Sequence, residues 1–269
     1  MPSIARTASI FLEILLGFWK RFRYLGSMDL TEPLELAVPG VQGRVLTVLA
    51  RSGLPLTGKR IADMAGTSVE GTRQVLLRLA TGGLVTAQRV GSAIQYELNE
   101  RHLLAAPVRQ LVHEADQAVW TVKRRISASI EEVLDPGDAA RVTGALFGSV
   151  ARGSARPDSD VDALLVTPDE LTELQVESLV AEVIRVVEAA TGNDCNVLQL
   201  SRTRFDALVR DDDPMVASLT ADAASFHGPD VHRRLRGEPW DALETPLTGT
   251  PLSGLPHPAQ EPVSPAGRL

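Results

Sequence analysis

Two carboxylates one residue apart, Asp160 and Asp162, follow closely on a Gly148-Ser149 pair and an arginine, Arg152. Each is a residue type that nucleoside triphosphate chemistry uses. The surrounding pattern reads as a strand over 142–147, a turn, a short helix, and a second strand over 160–166 that sends Leu164, Leu165 and Val166 into a core. Side chains two apart on a strand share a face, so Asp160 and Asp162 project together, close enough to share divalent cations. Mg²⁺ prefers hard oxygen ligands and commonly joins one or two carboxylates to substrate phosphates. Two such ions roughly 3.5–4 Å apart can clamp the attacking and leaving oxygens of an in-line displacement. Gly148 lets the backbone approach a phosphate closely. The amides and hydroxyl near Ser149 sit where the next helix begins, a ready anion site. Arg152 can neutralise triphosphate charge through a forked contact. A lone Asp-x-Asp is usually a solvated strand end and a lone Gly-Ser usually a turn; their order between two apolar runs gives the combination its meaning.

Gly148-Ser149-Val150-Ala151-Arg152-Gly153 together with Ser159-Asp160-Val161-Asp162 resembles the hallmark of the DNA polymerase beta-like nucleotidyltransferase superfamily, and the minimal nucleotidyltransferases most closely. The resemblance spans about 138–236. It implies an α/β nucleotidyltransferase fold with a mixed sheet, in which Ser149 holds the triphosphate, Arg152 assists it, and Asp160 and Asp162 bind Mg²⁺ or Mn²⁺, with ATP or another NTP as substrate. It also implies a third carboxylate on a later strand, as metal ligand or general base. The matching strand, after a helix over 169–191, reads Cys195-Asn196-Val197-Leu198-Gln199-Leu200. Asn196 stands where the family has aspartate; an amide coordinates a metal weakly and takes no proton. Asp194 would share that strand face if pairing extends far enough, and is otherwise a loop-end aspartate. The third position therefore falls to Asn196 or Asp194.

The elements before this cassette form a different pattern. The helical periodicity of Val41, Val45, Leu46, Val48 and Leu49 is followed by a break at Leu54-Pro55-Leu56. Thr57 can cap a second helix over 58–65, and Ser68 a third over 69–80. Two strands over 84–90 and 93–98 flank Gly91-Ser92, a hairpin signal. Thr57-Gly58-Lys59-Arg60-Ile61-Ala62 and Val75-Leu76-Leu77-Arg78-Leu79-Ala80-Thr81-Gly82-Gly83-Leu84-Val85 resemble winged helix-turn-helix transcription regulators, over about 38–99. The resemblance implies DNA binding with 69–80 as recognition helix. Its N-terminal part would enter the major groove, with Thr67, Ser68, Thr72, Arg73 and Gln74 on the exposed face. Lys59, Arg60 and the wing residue Arg89 would meet phosphate or the minor groove. Winged helices also serve as protein-interaction modules.

The chain of 269 residues carries a net charge of −7, which argues against a surface wholly given to nucleic acid. Between 40 and 90, however, Arg44, Arg51, Lys59, Arg60, Arg73, Arg78 and Arg89 face only Asp63 and Glu70, a local basic footprint. A single cysteine, Cys195, excludes an intrachain disulfide and reads as a core thiol. The apolar run Ile10–Trp19 is too short to span a bilayer and its basic residues follow rather than precede it. No membrane partner and a cytoplasmic location are expected.

The organisation expected is an extension over 1–28 that lies upstream of the true start or is weakly ordered, a mostly α winged helix-turn-helix over 29–101, one or two connecting helices over 102–136, the nucleotidyltransferase domain over 137–236, and a Pro-rich disordered tail over 237–269. The apolar stripe over 103–133 packs into a core or forms a homodimer seam. Asp211-Asp212-Asp213 reads as a helix junction capped by Asp213, not as a metal site. Three functions fit: transfer of a nucleoside monophosphate to a protein, RNA or small-molecule acceptor; a DNA-binding regulator whose second domain only binds nucleotide; or an antitoxin-like protein.

Overall fold

A computed structural model of the protein describes residues 27–243. The apolar run Ile10–Trp19 and the proline-rich segment beyond 243 lie outside those residues. The first unit opens with Leu34–Ala37 (α1) and Val41–Ser52 (α2). Leu56–Thr57 (β1) leads into Gly58–Met64 (α3), where the Thr57 hydroxyl accepts from the Arg60 N–H. The Ser68 hydroxyl accepts from Gly71 N–H and starts Val69–Thr81 (α4). Val85–Val90 (β2) and Ala93–Leu98 (β3) form a hairpin in full register. Val45, Leu49, Ile61, Leu76, Leu79, Val85 and Leu98 close one core. This is the winged helix-turn-helix architecture. β1, which pairs antiparallel with β3, falls where the sequence signals only a helix break; two residues are too few to show alternation.

Ala105–Asp116 (α5) and Ala118–Val133 (α6) follow, separated at Gln117. Their apolar stripe packs into cores on both sides. α5 packs back on the first unit, with Ala105 in its core and Val112 against Leu34 and Ala50. α6 lays Val122, Ile126 and Ile130 on the second unit. Leu30, expected within the winged-helix unit, joins that second core too, with Met28 against it. Helical periodicity reveals a buried stripe but not which neighbour covers it.

The second unit runs Pro136–Ala139 (α7), Thr143–Phe147 (β4), Gly148–Ala151 (α8), Val161–Thr167 (β5), Glu173–Thr191 (α9), Cys195–Ser201 (β6), Arg202–Arg210 (α10), Pro214–Asp222 (α11), Ala224–His227 (β7), Val231–Leu235 (α12) and Trp240–Leu243 (α13). The sheet order is β6-β5-β4-β7, with β5 and β6 parallel and the other pairs antiparallel, a mixed sheet. Alternation along β5 splits the core. Val161, Ala163 and Leu165 face α6 and α9, whereas Leu164 and Val166 face Phe205, Leu219, Val231 and Trp240. α9 starts at a capping box between Thr172 and Gln175, later than the 169 expected; Asp169 instead accepts from Thr203 N–H. Asp213 accepts from Met215 N–H and so caps α11. Among the described residues no helix is long and apolar enough to cross a membrane.

The tail expected from 237 starts too early. Trp240 and Leu243 are buried in the second core. The Trp240 ring meets Phe205 edge-on at 5.8 Å and lies under the guanidinium groups of Arg202 and Arg234, and its indole N–H donates to Asp206. One large aromatic outweighs the prolines around it. Trp240→Ala is expected to destabilise the second unit by about 3 kcal/mol, read as a lower urea midpoint; an unshifted midpoint would place this ring outside the core.

Candidate active site and nucleic-acid face

Antiparallel register sets Asp162 of β5 opposite Phe147 of β4, and parallel register sets it beside Asn196 of β6. The strand begins at Val161, so Asp160 sits just before it rather than on it. The two carboxylates nevertheless converge. The Asn196 amide donates to Asp160 Oδ2 at 3.0 Å and to Asp162 Oδ1 at 3.4 Å. Asn196 thus occupies the position next to both acids. Asp194 does not: it precedes β6, exposed, and contributes only its carbonyl, which accepts from Val161 N–H.

Gly148 turns the chain from β4 into α8 with φ +73°. A Cβ on it would lie 2.3 Å from Asp162 Oδ2. Only glycine permits both that conformation and that approach. The end of β4, the turn and the carboxylate therefore meet at one end of the two central strands, with Ser149 half-buried on the first turn of α8. Arg152 follows that helix, half exposed, and its guanidinium pairs with Asp222 at the end of α11.

Two residues outside the recognised motif shape this site. Asn193 is buried, at 2% exposure. Its side chain donates to Ser159 O at 2.9 Å and Met28 O at 3.0 Å, and accepts from Met28 N–H at 3.0 Å. It thereby fixes the backbone just before Asp160 and ties the segment leading to the first unit onto the same loop. Asp222 is the other. Neither carries a local signal, because each acts on chain far away in sequence.

Oxygen ligands suit a hard divalent cation. Asp160 and Asp162 offer them side by side in a cradle that a single Cβ would fill, and an amide beside them can add its oxygen by turning over. Among the described residues no cluster of three or more His, Cys, Asp or Glu is disposed to hold a metal; the donor set is two carboxylates and an amide. Burial raises the pKa of Asp162, partly offset by the Asn196 hydrogen bond, and the neighbouring Asp160 raises it further. Burial, then Glu188 and Asp162, push the Cys195 thiol up to about 12, as befits a core thiol.

The first unit presents Lys59, Arg60, Ser68, Arg73, Gln74 and Arg89 exposed, as the sequence suggests. Thr72 is the exception. It is 0% exposed and its hydroxyl bonds that of Thr67 at 2.7 Å, so it holds the turn before α4 and reaches no groove. Glu70 accepts from Arg73 at 2.8 and 2.9 Å and from Gln74 at 3.1 Å. These donors, Arg73 foremost, hold the Glu70 carboxyl down to about 2. The two side chains best suited to reading bases are thus occupied by a neighbour on their own helix.

The raised pKa of Asp162 has a stability consequence of definite sign. Its ionised form is disfavoured in the folded chain, so the penalty is absent below the ordinary carboxylate range. It grows as pH rises from the ordinary carboxylate range through the elevated folded-state pKa and is complete above it. In the absence of divalent cations Asp162→Asn is expected to raise Tm at neutral pH and to leave it unchanged near pH 3. A lower Tm at neutral pH would contradict this.

Residues 127–211 match the family model described as Nucleotidyltransferase domain, starting within α6 and covering every residue of the carboxylate site. None of the curated proteins matches the chain. Among solved structures, the YusO protein from Bacillus subtilis is similar at 17% identity, over 44% of this chain and 82% of that one, with a TM-score of 0.28. ZitR of Lactococcus lactis, solved in complex with DNA, is similar at 19% identity over 48% and 85%, with a TM-score of 0.29. The second unit of this chain carries a nucleotidyltransferase domain, joined to an N-terminal winged helix-turn-helix.

Proposed function

We propose that the protein transfers a nucleoside monophosphate from an NTP to an acceptor hydroxyl, in a cytoplasmic molecule that also binds DNA through its winged helix. The observation that carries this reading is the convergence of Asp160 and Asp162 at the Gly148 turn. In the reaction the acceptor oxygen forms a bond to the α-phosphorus while the bond to pyrophosphate breaks. The Gly148 turn and Ser149 seat the triphosphate, and Arg152 offsets its charge. Asp160 and Asp162 would hold a divalent cation, Mg²⁺ or Mn²⁺. When bound, that cation supplies neutralisation of charge on the transferring group. The rest is positioning, as in phosphoryl transfer generally. The acceptor's proton needs a base, and Asn196 cannot be it.

That substitution favours a second reading: a DNA-binding regulator whose second domain binds nucleotide without transferring it. Incubation with labelled NTPs, Mg²⁺ and lysate separates the two. Transfer of label that disappears in the Asp160→Ala/Asp162→Ala double variant is expected, with Asn196→Asp raising the rate. Nucleotide binding without transfer to any protein, RNA or small-molecule acceptor would leave the second reading.

For DNA, the supporting observations are the exposed Lys59, Arg60, Arg73, Gln74 and Arg89 on one basic stretch. Phosphate contacts make such binding salt-dependent. Glu70→Gln is expected to release Arg73 and Gln74, tighten binding to mixed-sequence duplex DNA and steepen the salt dependence by about one ion. Fluorescence anisotropy across a salt series checks this; an unchanged affinity and slope would remove α4 from the interface.

A further inference from the structure

Asp222 is a carboxylate in an unfavourable place. It ends α11, where the helix dipole opposes negative charge. Its side chain is only 4% exposed, and burial of an ionised carboxylate is opposed by lost hydration. Its Oδ1 is buried and accepts no hydrogen bond from the described residues. Asp162, another acid, lies close enough for the two to repel. Against all this stands, among the described residues, one compensating partner, the guanidinium of Arg152.

The sheet explains how the pair meets. β7 runs antiparallel to β4 with Ala224 opposite Leu146. Just beyond that pair α11 ends at Asp222 and α8 begins at Gly148, and the two helices touch. The Gly148–Ala151 turn is therefore flanked by Asp162 on the β5 side and by Asp222 on the β7 side. Arg152 leaves that turn half exposed, at 52%. Asp222 takes its Nη1, and the other guanidinium donors bond nothing else among the described residues. Replacing a buried ion pair by neutral groups is often neutral or stabilising for a fold, so stability alone does not account for this one. A bond from Nη1 to a buried carboxylate does restrict where the remaining donors lie when they meet a phosphate.

We propose that Asp222 is the positioning residue of Arg152, a buried carboxylate that holds the guanidinium over the Gly148 turn with its remaining donors facing the triphosphate. The inference rests on the nucleotide-binding reading above. Asp222 does not touch nucleotide itself; it acts by ordering a long side chain that otherwise loses rotamer freedom on binding.

Inorganic triphosphate with Mg²⁺ is the probe, titrated calorimetrically into the full chain, because it tests the phosphate seat without choosing a base. Arg152→Gln is expected to weaken binding about tenfold, and Asp222→Asn to weaken it by a similar factor, in the range of supporting-shell effects. The Arg152→Gln/Asp222→Asn double variant is expected to bind no more weakly than Arg152→Gln alone. Thermal melts of Asp222→Asn are expected to match or exceed wild type, since the change removes a buried charge and leaves Arg152 hydrated. Asp222→Ser serves the same titrations if Asp222→Asn does not fold. Unchanged or tighter binding in Asp222→Asn, beside a weakened Arg152→Gln, overturns the positioning role alone. So does a double variant weaker than either single change, which would mean that Asp222 acts without Arg152. No triphosphate binding by wild type overturns the nucleotide-binding reading, and this inference with it.

Discussion

The close passage of Gly148 beside the Asp162 carboxylate is the constraint on which the second unit depends. β4 must end, reverse into α8 and leave room for a carboxylate, all within a space that would not admit one methyl group. That geometry requires left-handed backbone at Gly148 and a strand on either side of β4 to hold it. Asp162 in turn is held by its register between Phe147 and Asn196. The same tightness raises its pKa through burial. Collecting negative charge in this way lowers the stability of the fold, the usual conflict between stability and a prearranged site.

The two units are less separate than their patterns suggest. The chain passes from the second core to the first and back. Leu30 packs with α6 and α9, α1 to α5 build the first unit, and α6 returns to the sheet. Asn193 clasps both backbone groups of Met28 and the carbonyl of Ser159. The segment leading into the winged helix is thus bonded to the loop that carries Asp160.

Charge is managed by pairing in both units. Arg73 and Gln74 rest on Glu70, and Arg152 rests on Asp222. The first pair lies on the exposed face of α4 and contributes little, as surface ion pairs do. The second has one buried member and keeps its geometry. The same pairing, an arginine held by a carboxylate, therefore leaves a loosely held side chain on an exposed helix in one place and a side chain tied to a buried group in the other.

The sequence by itself determined the kinds of element and the residues of the motif. Local rules suffice for these. A helix cap, a hairpin glycine, an alternating strand and an Asp-x-Asp all act within a few residues, so Thr57, Ser68, Gly91, Gly148, Asp160 and Asp162 were legible, and Asn196 was visible as a missing acid. Tertiary structure alone decided what lies beside what. Register between β5 and β6 chose Asn196 over Asp194. Packing buried Thr72, which a helical wheel leaves exposed, and it carried the fold to Trp240 and Leu243 among prolines. It also brought Asn193 to Met28 and Asp222 to Arg152 across 165 and 70 residues. Such contacts leave no periodic trace, because they depend on how sheets and helices close in space rather than on what precedes or follows along the chain.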